Sequence, residues 1–135
     1  MTALSSAKEV NRKDGLFQSY PVAATTTIYK GAAVMISSGY LTNAVDGSGN
    51  LLCGVAMETV DNSSGDAGDL ECKVYKSGSF EFAIVGASQA SVGVQAYVVD
   101  NQTVAVSTTN SVKGGTVVEY ISSTKVRVLI DRDIY

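Results

Sequence analysis

From Thr27 onwards the chain is a succession of short apolar runs separated by clusters of Gly, Asn, Asp and Ser. Runs of this length and spacing read as strands joined by tight turns, the pattern of a small sandwich or barrel. No long amphipathic helical stretch interrupts them. The apolar set is rich in Val and accompanied by Thr and Tyr, side chains that favour a pleated, half-buried backbone. With 135 residues, 45% hydrophobic and 17% charged, the chain has material for one core without disulfide or metal staples. The expectation is an all-β fold, a small antiparallel β-sandwich or β-barrel built of hairpins, forming one domain over residues 27–135.

The alternation predicts three hairpins. The first joins Leu70–Tyr75 to Ser79–Ile84 through Lys76, Ser77 and Gly78, with glycine where a left-handed backbone is needed. It would set Val74 opposite Phe80, Cys72 opposite Phe82 and Leu70 opposite Ile84 on a core face, with Lys73 opposite Glu81 in solvent. The second joins Gln95–Val99 to Thr103–Val106 across Asp100, Asn101 and Gln102. The third joins Thr116–Ile121 to Lys125–Ile130 around Ser122, Ser123 and Thr124, placing Val118 and Tyr120 beside Val128 and Val126, and Glu119 opposite Arg127. Val34–Ser37, Tyr40–Thr42 and Leu51–Val60 add further strands, and the single proline, Pro21, precedes them all.

Residues 1–26 differ in kind. Lys8, Glu9, Asn11, Arg12, Lys13 and Asp14 cluster there without sustained apolar alternation, so the segment reads as an N-terminal arm. Ser6 and Glu9 have capping-box spacing, enough for a helical turn or two over 6–13. The competing reading has Leu16, Phe17, Tyr20 and Val22 forming a first strand or a flap on the domain. The absence of any secretory pattern before an apolar run predicts a chain made in the cytoplasm, and no run approaches the length of a membrane span.

The chain has no histidine, which removes the usual general base of Ser and Cys nucleophile systems and the commonest ligand of catalytic zinc. No catalytic, cofactor-binding or metal-binding residue is therefore assigned, no cofactor is expected, and a non-enzymatic protein is the reading. Cys53 and Cys72 lack the close spacing of a metal knuckle or redox pair and read as buried thiols. Glu58, Asp61, Asp66, Asp69 and Glu71, with Asn62-Ser63-Ser64-Gly65 between them, and Asp46-Gly47-Ser48-Gly49-Asn50, were weighed as calcium loops. Neither has EF-hand spacing, since Leu51 and Met57 stand where glycine and glutamate belong, so both read as turns. Asn62-Ser63-Ser64 and Asn101-Gln102-Thr103 match glycosylation acceptors at the chance level. A net charge of -3 without a basic block argues against nucleic acid. Tyr20, Tyr29, Tyr40, Tyr75, Tyr97, Tyr120 and Tyr135 suit either sugar stacking or an interface.

Several short words occur in order along the chain: Thr26-Thr27-Ile28-Tyr29-Lys30-Gly31, Gly54-Val55-Ala56, Val60-Asp61-Asn62, Ala67-Gly68 and Lys76-Ser77-Gly78-Ser79-Phe80. Val92-Gly93, Ala96-Tyr97-Val98, Asp100-Asn101-Gln102-Thr103-Val104, Gly115-Thr116-Val117-Val118 and Val126-Arg127-Val128 follow. In type, order and spacing this series, from Thr26 to Asp131, resembles the capsid decoration, or cement, proteins of tailed bacteriophages. The resemblance implies a non-enzymatic virion protein on the capsid's outer surface that binds the shell of major capsid protein and strengthens it. It also implies self-association near lattice symmetry axes, with a trimer expected and a dimer as the alternative. A carbohydrate- or receptor-binding β module is the reading from another class, and an enzyme built on converging carboxylates or an activated Cys53 or Cys72 is the third.

Overall fold

A computed structural model of the protein describes residues 2–10 and 16–131. The fold is all-β, as the alternation predicts. Its strands are β1 (Phe17–Pro21), β2 (Thr26–Ile28), β3 (Ala33–Ser37), β4 (Tyr40–Asn43), β5 (Leu52–Ala56), β6 (Val60–Asn62), β7 (Glu71–Tyr75), β8 (Ser77–Ala83), β9 (Gln95–Val98), β10 (Val104–Ala105), β11 (Lys113–Ser122) and β12 (Lys125–Asp131). A first five-stranded sheet runs β1-β7-β5-β3-β4, a second runs β10-β9-β11-β12-β8, and β2 and β6 form a separate ribbon. All these pairings are antiparallel. Isolated parallel bridges, Val22 to Leu41 and Ala83 to Thr103, draw the two ends of each large sheet towards one another.

Two cores result. One combines Ala33, Leu52 and Val55 of the first sheet with Phe82, Val98, Val117, Val126, Val128 and Ile130 of the second. The other combines Ile28 of the ribbon with Val34, Leu41, Cys53, Ala56, Cys72 and Val74 of the first sheet. Strand β5 separates them and is buried along its whole length, the continuous apolar run expected of a strand covered on both faces. Leu52 and Val55 share a core although they stand an odd number of residues apart. The register shift that pairs Val34 with Gly54 but Met35 with Leu52 slips in an extra residue and restores the facing. Strand β12 needs no such device: Val126, Val128 and Ile130 are buried while Lys125, Leu129 and Asp131 are exposed.

The second and third predicted hairpins form. In the second, Val104 faces Val98, and the Asp100 carboxylate accepts the backbone N–H groups of Gln102 and Thr103 at 2.9 and 2.8 Å. In the third, Tyr120 faces Val126 and Glu119 faces Arg127. A bulge sets Val117 rather than Val118 opposite Val128, so Val117 is buried and Val118 is exposed. The glycine-free turn is held by the Thr124 N–H donating to Ser122 Oγ at 3.3 Å.

The first predicted hairpin does not form. Strands β7 and β8 belong to different sheets, and the chain crosses between them at Lys76. Both edges of β7 are already taken, one by β5 and the other by β1, so no edge remains for β8. Strand β8 pairs instead with β12, which sets Phe80 opposite Val128, Phe82 opposite Val126 and Glu81 opposite Arg127. The side-chain faces survive the change of partner: Phe82 is buried and Glu81 exposed. The arm boundary also moves. Residues 17–21 are strand β1, Val22 is fully buried and β2 starts at Thr26, so 17–26 belong to the folded body. The expected Leu51–Val60 run is divided into β5 and β6. Residues 2–10 are exposed throughout and carry no helix; the rest of the expected 6–13 turn lies outside the described residues, as does Tyr135.

Phe82→Ala should cost about 3–5 kcal/mol in a denaturant titration, because the ring is buried in the inter-sheet core. Glu81→Ala should cost less than about 1 kcal/mol, since its 3.5 Å contact with Arg127 is solvent-exposed. Gly54→Ala should also destabilise, by roughly 1–3 kcal/mol, because a β-carbon there would collide with the Tyr75 carbonyl oxygen across the strand pair.

Candidate interaction surface

The residues that sequence reasoning singled out for chemistry are mostly engaged in holding the fold. Cys53 and Cys72 are free, buried thiols. Burial, with the Glu58 carboxylate nearby, pushes the Cys72 thiol up to about 11, despite a hydrogen bond with the Glu58 backbone that favours the thiolate. Cys53 lies 3.5 Å from the Lys76 ammonium, which donates to the Cys53 carbonyl oxygen at 2.9 Å and stands 5.2 Å from the centre of the Tyr20 ring. Lys76 therefore ties the crossing between sheets to the central strand.

The acidic segments are turns stitched by their own carboxylates. Asp61 accepts the Ser63 N–H and the Thr27 hydroxyl at 3.0 and 3.1 Å, and these bonds hold its carboxyl below the usual range. Asp69 accepts the Asp66 N–H at 2.9 Å, while the buried Asn62 amide donates to the carbonyls of Ala23 and Asp66. Glu58 accepts the Lys73 N–H at 3.2 Å, and Glu71 is exposed on β7. Asp46 reaches across to the 107–112 loop, accepting the Ser111 N–H at 2.8 Å and the Asn110 amide at 2.9 Å. Those two bonds lower its pKa. Among the described residues no three His, Cys, Asp or Glu side chains converge as metal ligands would.

The tyrosines are distributed rather than gathered. Tyr29 is 62% exposed beside a shallow groove of about 310 Å³, lined by Tyr29, Lys30, Gly31, Ala32, Asn101 and Gln102. The groove's far wall is fixed because the Asn101 amide donates to Asn43 Oδ1 at 3.0 Å and the Asn101 carbonyl accepts the Ala33 N–H at 2.8 Å. Tyr120 is exposed on β11, and Tyr75 packs against Phe80 with ring centres 5.6 Å apart.

The largest apolar exposure with identifiable neighbours lies where the N-terminal segment joins the body. Leu16 is 60% exposed, and its carbonyl accepts the Lys76 N–H at 2.9 Å. Phe17 is 43% exposed and faces Tyr75, itself 40% exposed, which leads on to Phe80. Residues 2–10, including exposed Leu4 and Val10, precede this patch in the chain. No protein-family profile, curated protein or solved structure matches the chain. The grouping of Phe17 with Tyr75 and Phe80 was not visible in the sequence, because it depends on β1 rather than β8 lying beside β7. The one available signal was the Phe17-Gln18-Ser19-Tyr20 alternation.

Both thiols should resist Ellman's reagent at pH 8 in the folded protein and react fully after denaturation. The Cys72 thiol also sets a pH trend. Its folded pKa lies above the ordinary value of 9.0, at about 11, so between these limits the unfolded chain binds fewer protons than the folded one. Stability should fall as pH rises through that window, and the Cys72→Ala variant should lose this part of the slope in denaturant titrations.

Proposed function

We propose that this protein is a virion decoration protein, a structural β module that binds the outer surface of an assembled phage capsid and reinforces its shell of major capsid protein. The observation that carries the reading is the exposed N-terminal segment, residues 2–10, running towards the apolar patch of Leu16, Phe17 and Tyr75. A polar segment of mixed charge that adds nothing to the core is suited to ordering on a partner, and an adjoining apolar patch offers area to bury. The ordered series of motifs between Thr26 and Asp131 supplies the class of partner.

The mechanism is linkage. A ligand that binds the assembled shell but not its separated subunits stabilises the shell by mass action, and an oligomer with several weak contacts gains further through avidity. The carbohydrate-binding alternative is favoured by a separate observation, the exposed Tyr29 ring beside the amide-bearing groove at Asn101 and Gln102. Aromatic faces and amides are the groups that sugars use.

Removal of residues 1–14 should leave the melting temperature within a few degrees of the full chain while abolishing co-sedimentation with purified capsid shells. Unchanged co-sedimentation of the truncated protein would rule out attachment through the N-terminal segment, and failure of the full chain to co-sediment would rule out the decoration reading. Binding on a glycan array that is lost with Tyr29→Ala would establish the alternative.

A further inference from the structure

We infer that the free edge of β8 is a self-association surface, on which a second copy of this chain adds its own β8 antiparallel about a two-fold axis at Phe80. An unpaired edge displays backbone N–H and C=O groups that another strand can satisfy, and proteins ordinarily block such edges. The other sheet edges here are blocked. On β1, the bonds from Lys76 N–H to Leu16 and from Val22 N–H to Leu70 turn the even-numbered backbone groups towards β7. That leaves Phe17, Ser19 and Pro21 pointing outward. Pro21 has no N–H, and the Ser19 carbonyl accepts the Gln18 side-chain amide at 3.0 Å. The edge of β4 is met by Val22 and Ala23, the latter donating to the Leu41 carbonyl, and β10 is two residues long.

Strand β8 has none of these guards. It pairs with β12 from Ser77 to Ala83 without a register shift. The Ala83 N–H points away from β12, to the Gln102 carbonyl. Alternation then turns the N–H and C=O groups of Ser79 and Glu81 outward as well. Among the described residues no strand lies against them. The segment contains neither proline nor lysine.

The edge is self-complementary in charge and shape. A two-fold axis at Phe80 sets Ser79 of each copy opposite Glu81 of the other, so that both exchange backbone hydrogen bonds. The Glu81 carboxylates do not face one another, and each is partnered within its own chain by Arg127 at 3.5 Å. On the opposite face the half-buried Phe80 rings meet as a cross-strand aromatic pair, extending the Tyr75 contact. Gly78, opposite Phe82 of the second copy, leaves room for that ring. This pairing makes a dimer, not the trimer that the resemblance suggests, and it belongs to the free protein whether or not a shell is its partner.

Sedimentation equilibrium over a micromolar range tests the proposal. The expected species has twice the 14.0 kDa chain mass. Ser79→Pro removes an N–H that the protein's own sheet does not use, so it should yield single chains with an unchanged melting temperature. Ser79→Asp and Ser79→Lys test the register without touching the backbone: opposite Glu81, Asp should weaken dimerisation and Lys strengthen it, each roughly tenfold because the pair occurs twice. A wild-type chain that stays single or forms trimers would overturn the inference. So would a dimer indifferent to Ser79→Pro, or one that responds alike to Asp and Lys.

Discussion

The architecture depends on β5 being covered on both faces. A strand with only one buried face tolerates polar residues at every second position, whereas Leu52-Cys53-Gly54-Val55-Ala56 has none and serves two cores at once. The arrangement requires the backbone of β7 to approach so closely that a side chain at Gly54 would strike the Tyr75 carbonyl. It also requires the bulge that puts Leu52 and Val55 on the same side. Once β5 is fixed, β3 and β7 are fixed as its neighbours, and the second sheet can pack only against the face that carries Leu52, Val55 and Ala33.

What was legible in the sequence was whatever depends on local alternation and turn chemistry. Val126, Val128 and Ile130 were readable as inward-facing because the strand period alone decides it, and Asp100 was readable as a turn residue because its carboxylate can reach its own following N–H groups. Partner choice was not legible. Leu70–Tyr75 and Ser79–Ile84 alternate compatibly and are joined by a short glycine-containing link, so a hairpin satisfies every local rule. The competing partner for β7 lay about fifty residues upstream in Phe17–Pro21, in a segment whose charged beginning masked its end. The same holds for function. The charge clusters that resembled metal loops were visible, but only the geometry assigns their oxygens to backbone donors. The Phe17 and Tyr75 surface exists solely through a long-range pairing.

The connections between the two sheets are polar, which bears on how binding at the surface is supported. Asn43 donates to the Thr27 carbonyl at 3.0 Å and accepts from Asn101, while Asp46 bonds to Asn110 and Ser111. These side chains join β4 and the loop after it to turns of the second sheet. Hydrogen bonds are directional in a way that apolar packing is not, so they fix the relative position of the sheets where the core alone would allow sliding. The groove beside Tyr29 and the Asn101 turn is a by-product of this joint and shares its rigidity.

Edge management and surface apolarity point the same way. The closing of β4 by Val22 and Ala23 and the guarding of β1 by Gln18 and Pro21 show that unprotected strand edges are not tolerated by default in this fold. Against that background the regular, unguarded β8 is a departure from the chain's own practice, and it begins one residue after Lys76, where the N-terminal segment leaves the body beside Leu16. Pairing through β8 would bring two copies of the Leu16, Phe17, Tyr75 and Phe80 surface onto one assembly, each with its own N-terminal segment. A weak contact made by one segment becomes a far stronger one when two are held at fixed spacing, since the second binds at the effective concentration set by the first. The free edge and the exposed segment thus have a common physical rationale, in which the edge supplies the valency and the segment supplies the contact.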